Sequence, residues 1–359
     1  MKSNIFYISI LMLIAGGCSG NYYSEKDFAK IDKVDVHMHL FTGRTVFVDQ
    51  AIEDNFRLIT INVDLGDSAG IKEQLNNSIS AVKKFPGRIF YAPTFFFDTA
   101  GFDNSEWSSR AIEQLNNSIT AGAVSVKLWK NIGMTVKDRS GNFIMVDHPK
   151  MDPVVDFVAK KNLPITGHLG EPKNCWLPLE QMTVSTDSSY FANNPQYHMF
   201  LHQEYPSYDD QINARDNMLE NHPDLKFVGA HLASLEWSVD ELAKRLDKFP
   251  TMGVDLAERI VHFQYQSLAD YDKVRDFCIK YQDRLLYATD MIDDSSRKPE
   301  EMTAHIHKTW LTDWNYFTSG DEMTSVAFKE PYKGLHLPKE VINKIFGDNA
   351  EKYYKLPVK

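Results

Sequence analysis

Cysteine is scarce, and its spacing removes one class of site. The 359-residue chain holds three cysteines, at 18, 175 and 278, with no C-x-x-C pair. Nothing therefore suggests a cysteine-based zinc site. Cys175 and Cys278 are open to two readings, a disulfide in an oxidising compartment or two buried thiols. Positive charge in excess is also missing, since the net charge is −10. Nucleic-acid partners require a basic face, so this balance argues against them. No glycine-rich loop follows the first apolar run, which argues against a dinucleotide-binding sheet. Internal repeats and low-complexity tracts are absent.

The first residues read as a targeting segment. Lys2 gives a short positive start, and Ile5 to Ile14 form an apolar run too short to span a bilayer comfortably. Ala15-Gly16-Gly17-Cys18 follows and resembles a bacterial lipoprotein cleavage site. On that reading residues 1–18 are a signal ending at lipidated Cys18. The plainer alternative is an ordinary secretory signal with Cys18 incidental. Residues 19–29 read as a polar tether and 30–359 as one catalytic domain. The expected location is outside the cytoplasm, lipid-anchored to a bacterial outer membrane on its periplasmic or surface face. The lipid is the only membrane contact expected.

Beyond the tether, apolar runs alternate with amphipathic stretches. Candidate strands are Val34–Leu40, Leu58–Val63, Ile89–Phe95, Ala123–Trp129, Leu163–His168, Lys226–His231, Thr251–Leu256 and Arg284–Thr289. Helical patterns between them include Ile71–Lys84, Arg110–Ala121, Pro153–Lys161 and Val239–Lys248. Eight strands separated by helices predict an α/β fold, a (β/α)8 TIM barrel. Two connections exceed what a minimal barrel needs, Leu169 to about Asp224 and Met291 to about Leu335. Both leave C-terminal strand ends, where barrel enzymes build active sites, and read as capping insertions after strands five and eight.

The chemistry-bearing residues sit at those strand ends. Strict alternation puts Asp35, His37 and His39 on one face of the first strand, with Val34, Val36, Met38 and Leu40 on the other. Two imidazoles two residues apart can reach one metal ion. Strand five ends in His168, strand six in His231, strand eight in Asp290, and strand four carries Lys127. Any one of these alone reads as an ordinary polar residue at a barrel end. Together they point to a shared metal site.

This pattern resembles the amidohydrolase superfamily, in the branch of aminocarboxymuconate-semialdehyde decarboxylase and related lactonases. The likeness runs from about Ile31 through Leu337-Pro338-Lys339-Glu340 and Gly347-Asp348-Asn349-Ala350. It implies that His37, His39 and His168 ligate a metal, with Asp290 as ligand, proton acceptor or both. His231 becomes a second-metal ligand or a proton donor and electrostatic stabiliser. Lys127 is either a carbamylated bridge or a substrate-binding ammonium. The implied cofactor is one or two divalent ions; the donor set suits zinc best, with manganese, iron or nickel compatible. Zinc lowers the pKa of water to roughly 7, so hydrolysis of a lactone, ester or amide in a small organic acid or sugar derivative is the leading expectation. Non-oxidative decarboxylation of a small carboxylic acid is second, and a non-catalytic binding barrel third. Trp129, Glu171, Arg215 and Arg259 are candidate substrate contacts, the arginines because a guanidinium suits a carboxylate. Tyr190, Phe191, Tyr197 and Tyr205 either stack on a substrate ring or form the insertion's own core. The partner is a small molecule, and a homo-oligomer is compatible with the sequence.

Overall fold

Every expected strand forms, and most are shorter than the apolar run that announced them. The computed structural model describes residues 20–358, so the signal segment and Cys18 lie outside the described residues. The strands are β1 (Lys33–Leu40), β2 (Phe56–Ile61), β3 (Ile89–Ala92), β4 (Val126–Leu128), β5 (Ile165–Gly167), β6 (Phe227–Gly229), β7 (Met252–Asp255) and β8 (Leu285–Leu286), followed by a short β9 (Ile292–Asp293). They pair in parallel as β3-β2-β1-β9 and as β4-β5-β6-β7-β8. Two seams join these halves. The Val124 and Lys127 amides donate to Tyr91 O and Pro93 O at 3.0 and 2.8 Å. The Val36 and Asp290 amides donate to Tyr287 O and His37 O at 3.1 and 2.7 Å. These bonds join the two sheets into a (β/α)8 barrel.

The first strand departs from strict alternation. Asp35 pairs with Leu58 but Met38 pairs with Thr60, so β1 uses one residue more than β2 over this stretch. This is a β-bulge, which shifts the side-chain period by one. Val34 and Val36 consequently point inward with Ile59, Ile61, Val228, Leu286 and Ala288. Asp35 turns outward, where Trp310 Nε1 donates to it at 3.1 Å. Met38 and Leu40 join the outer core between strands and helices. The expectation that Asp35 shares a face with both histidines is corrected by this bulge.

The floor of the barrel is sealed by the helix Asn349–Tyr354, whose Ala350, Tyr353 and Tyr354 pack against the inner valines. The described part of the supposed tether is docked as well. Asn21 O accepts from the Lys339 amide at 2.9 Å, Tyr23 Oη donates to Asn343 at 2.9 Å, and Phe28 is buried. The tether reading is thus corrected: Tyr22, Tyr23 and Phe28 carry enough apolar surface to fold onto the barrel. Over the mouth, the insertion after β5 contains the helices Ser185–Asn193 and Tyr208–Asn221. It meets the connection after β8 where the Ser185 amide donates to Ala327 O at 2.9 Å. Phe191 lies in a small core that packs Cys175 and Met199 of the insertion against Met134 after β4, whereas Tyr190 and Tyr197 are exposed. Cys175 and Cys278 are buried and unpaired.

Candidate metal centre

Two strand ends, those of β1 and β8, bring His37, His39 and Asp290 together. One ligand atom from each lies within 4.8 Å of the others. His37 and His39 reach the interior because the bulge restores them to the inward face. Asp290 follows β8 in the left-handed region, at φ +62°, with its amide bonded to His37 O. Asp35 anchors this junction from outside. It accepts from Thr289 Oγ1 at 2.6 Å, and from the Thr289 and His37 amides at 3.2 Å each. Burial nevertheless pushes its carboxyl up to about 7.

The imidazoles are oriented by their outer nitrogens. His37 Nδ1 lies 2.8 Å from Asp255 Oδ2, His39 Nδ1 2.7 Å from Ile61 O, and His231 Nδ1 3.0 Å from Ala257 O. Each partner only accepts, so each Nδ1 carries the proton. Burial holds His37 and His231 below the ordinary imidazole pKa, and their Nε2 atoms are therefore lone pairs. All three Nε2 atoms face Asp290. His37 and His39 approach Oδ1 at 3.1 and 3.0 Å, and His231 approaches Oδ2 at 3.8 Å. His231 Nε2 is buried with no hydrogen-bond partner. Lone pairs facing a carboxylate repel one another in a dry site. A divalent cation between them removes that repulsion, so this donor set fits one.

His168 is not drawn into this tight group. Its ring centroid lies 4.2 Å from that of His231, the planes tilted by 57°, but its Nε2 lies 3.5 Å from Glu171 Oε2. Glu171 in turn pairs with Lys130, whose ammonium is stabilised by that carboxylate against the opposing effect of burial. Lys127 is fully buried, with Nζ 3.4 Å from His37 Nε2. Burial lowers its ammonium to about 8, while Asp255 and Asp290 resist the shift.

The expected substrate contacts divide. Glu171 sits beside His168, and partly buried Trp129 packs on the inner wall. Arg259 lies 3.5 Å from Asp187 of the insertion, and its Nε is buried without a partner. Arg215 faces away from the centre: its guanidinium is spent on Asp216 and on Ala233 O. The proposed substrate role of Arg215 is corrected, because all three guanidinium nitrogens already have acceptors in the wall. The sequence reading assigned no role to Asp255, which orients His37 and accepts the His231 amide at 2.7 Å. Its signal was present: a carboxylate ends the apolar run of β7 just as Asp290 follows that of β8.

Comparisons with known proteins agree with this architecture. A family model described as amidohydrolase matches residues 96–356. No curated protein matches. Among solved structures, a 2,6-dihydroxybenzoate decarboxylase from Rhizobium is 14% identical at a TM-score of 0.54, over 90% of this chain and 99% of that one. A dihydroxybenzoic acid decarboxylase from a Polaromonas species, with manganese and 2-nitroresorcinol bound, is 14% identical at 0.53, over 91% and 98%. A Staphylococcus aureus protein described as a putative amidohydrolase is 11% identical at 0.52, over 91% and 100%. The family match begins after β3, so His37 and His39 stand on their geometry.

Proposed function

The chain belongs to the amidohydrolase family, and from that premise we propose that it is a divalent-metal-dependent hydrolase of a lactone, ester or amide in a small organic acid or sugar derivative. One observation carries the reading: His231 presents an unpartnered, buried Nε2 lone pair 3.8 Å from Asp290 Oδ2. Hydrolysis needs a group that accepts a proton from water, and this atom does so in its resting tautomer. The imidazolium so formed then returns the proton to the leaving group. His37, His39 and Asp290 would hold the ion, with zinc the best match and His168 next to it. The ion, when bound, supplies Lewis acidity toward oxygen. Trp129 and the paired Lys130 and Glu171 would line the substrate's path, with Arg259 at the wall near Asp187. Export and lipidation at Cys18 belong to the same proposal, supported by Ala15-Gly16-Gly17-Cys18.

A second reading is decarboxylation of a small carboxylic acid. Lys127 favours it, because an ammonium beside the centre attracts a carboxylate and is still charged at neutral pH. The test is elemental analysis of purified protein joined to a screen of lactones and carboxylic acids. Ring or acyl opening without carbon dioxide is expected, with at least one divalent ion per chain. Carbon dioxide as the product would replace the first reading with the second. Neither product, with no bound metal, would remove both.

A further inference from the structure

Residues 231–234 form one turn of left-handed helix. The φ angles of His231, Leu232, Ala233 and Ser234 are +58°, +56°, +56° and +56°, and none of the four is glycine. Each such residue is strained relative to its right-handed form, because its Cβ crowds the following carbonyl oxygen. Strain of this kind persists only where the surroundings over-determine it.

Those surroundings can be named. The His231 amide is held by Asp255 Oδ1. Arg215 Nη1 donates to Ala233 O, and Tyr208 Oη donates to Ser234 O. Ser234 Oγ donates to Gly170 O at 2.9 Å. Gly229 leaves the space, since a Cβ there would stand 2.4 Å from Ala233 Cβ. Arg215 is the one charged donor in this set. It is 1% exposed, and its Nε and Nη2 bond Asp216 Oδ1 at 3.1 and 2.7 Å. Asp216 is braced in turn by Arg245 Nε at 3.2 Å. A guanidinium fixed at both ends has little freedom to move, so the carbonyl it grips is fixed too.

Resting on the reading that His231 works at the centre, we propose that Arg215 is a positioning residue. Acting through Ala233 O, it holds the left-handed turn and so keeps the His231 ring aimed at Asp290. An ion pair serving only the core would contribute stability and leave the His231 ring unmoved.

The test uses the full chain with 15N-labelled histidine, treated with EDTA so that only protein contacts fix the ring. Two-bond proton–nitrogen spectra report the His231 tautomer, assigned through His231→Asn. The variants are Arg215→Gln, Arg215→Lys and Ala233→Gly, with the double variant Arg215→Gln/Ala233→Gly. Glycine takes φ near +56° without the Cβ penalty. Wild type should show the Nδ1–H form alone. Arg215→Gln should gain the second tautomer, Arg215→Lys should revert toward wild type, and the double variant should lose part of the Arg215→Gln effect. An unchanged His231 signal in Arg215→Gln would overturn the proposal, as would no recovery in the double variant. Should Arg215→Gln fail to fold, the double variant is expected to fold; its failure would equally overturn the proposal. Full turnover in His231→Asn would instead sink the functional reading, and the spectra, taken without substrate, would still decide the role of Arg215.

Discussion

Nδ1 of His37 lies 2.8 Å from Oδ2 of Asp255, and both side chains are sealed from solvent. The other oxygen of the same carboxylate takes the His231 amide. One residue on β7 thus orients the His37 imidazole of β1 and anchors the backbone of His231 after β6. Partners of this kind fix the tautomer and raise the basicity of a ligand. Asp255→Asn should weaken zinc binding by roughly 10–100-fold while the chain stays folded. Competition with a chromophoric chelator measures it, and an unchanged affinity would show that Asp255 does not tune the centre.

Occupancy of the centre should stabilise the fold. A ligand that binds only the native state contributes about 2.7 kcal/mol at a hundred times its Kd. Zinc should therefore raise the Tm of EDTA-treated wild type. His39→Ala should abolish the rise, because it removes one of the three converging donors. Thermal scans with and without zinc decide this, and an equal rise in the variant would place the ion elsewhere.

Asp35 should matter to both stability and metal binding, although it faces away from the ion. It accepts from Thr289, Trp310 and the His37 amide. An asparagine turns one acceptor oxygen into a donor and leaves buried donors unpaired, at about 1–3 kcal/mol each. Asp35→Asn should lower the urea midpoint and weaken zinc binding together. A drop in stability with zinc affinity intact would show that the β1–β8 junction is not what sets the ligand geometry.

Glu236 gives the pH dependence. It is 1% exposed, accepts the Lys173 amide at 2.8 Å, and leaves Oε2 without a partner. Burial raises its pKa above the ordinary 4.5, with His262 and Arg259 opposing. The folded state therefore binds this proton more tightly than the unfolded one. Its contribution is fully present below pH 4.5 and is lost as pH rises through the folded pKa. Glu236→Gln should match wild type in Tm near pH 4.5 and exceed it at pH 8. A variant less stable than wild type at pH 8 would mean that the ion pairs outweigh burial.

Much of this was legible locally. The helix Val239–Lys248 occurs with the ends its amphipathic pattern predicts, because capping by Ser238 and the apolar period are properties of neighbouring residues. The histidines could be placed at strand ends because a polar residue closing an apolar run needs no partner to be noticed. Arg215 shows where this stops. A guanidinium in a long insertion reads as a rim contact, and only the packed chain reveals Ala233 O as its acceptor.

The order of residues by itself determined the barrel, the strand ends that carry His37, His39, His168, His231 and Asp290, and the insertions over the mouth. These follow from hydrophobic periodicity, which acts over a few residues. Tertiary structure alone decided the bulge that turns Asp35 outward, the pairing of His168 with Glu171, and the left-handed turn beneath His231. Each depends on register or contact between segments far apart in the chain, and no local pattern encodes which distant atom will stand within hydrogen-bond reach.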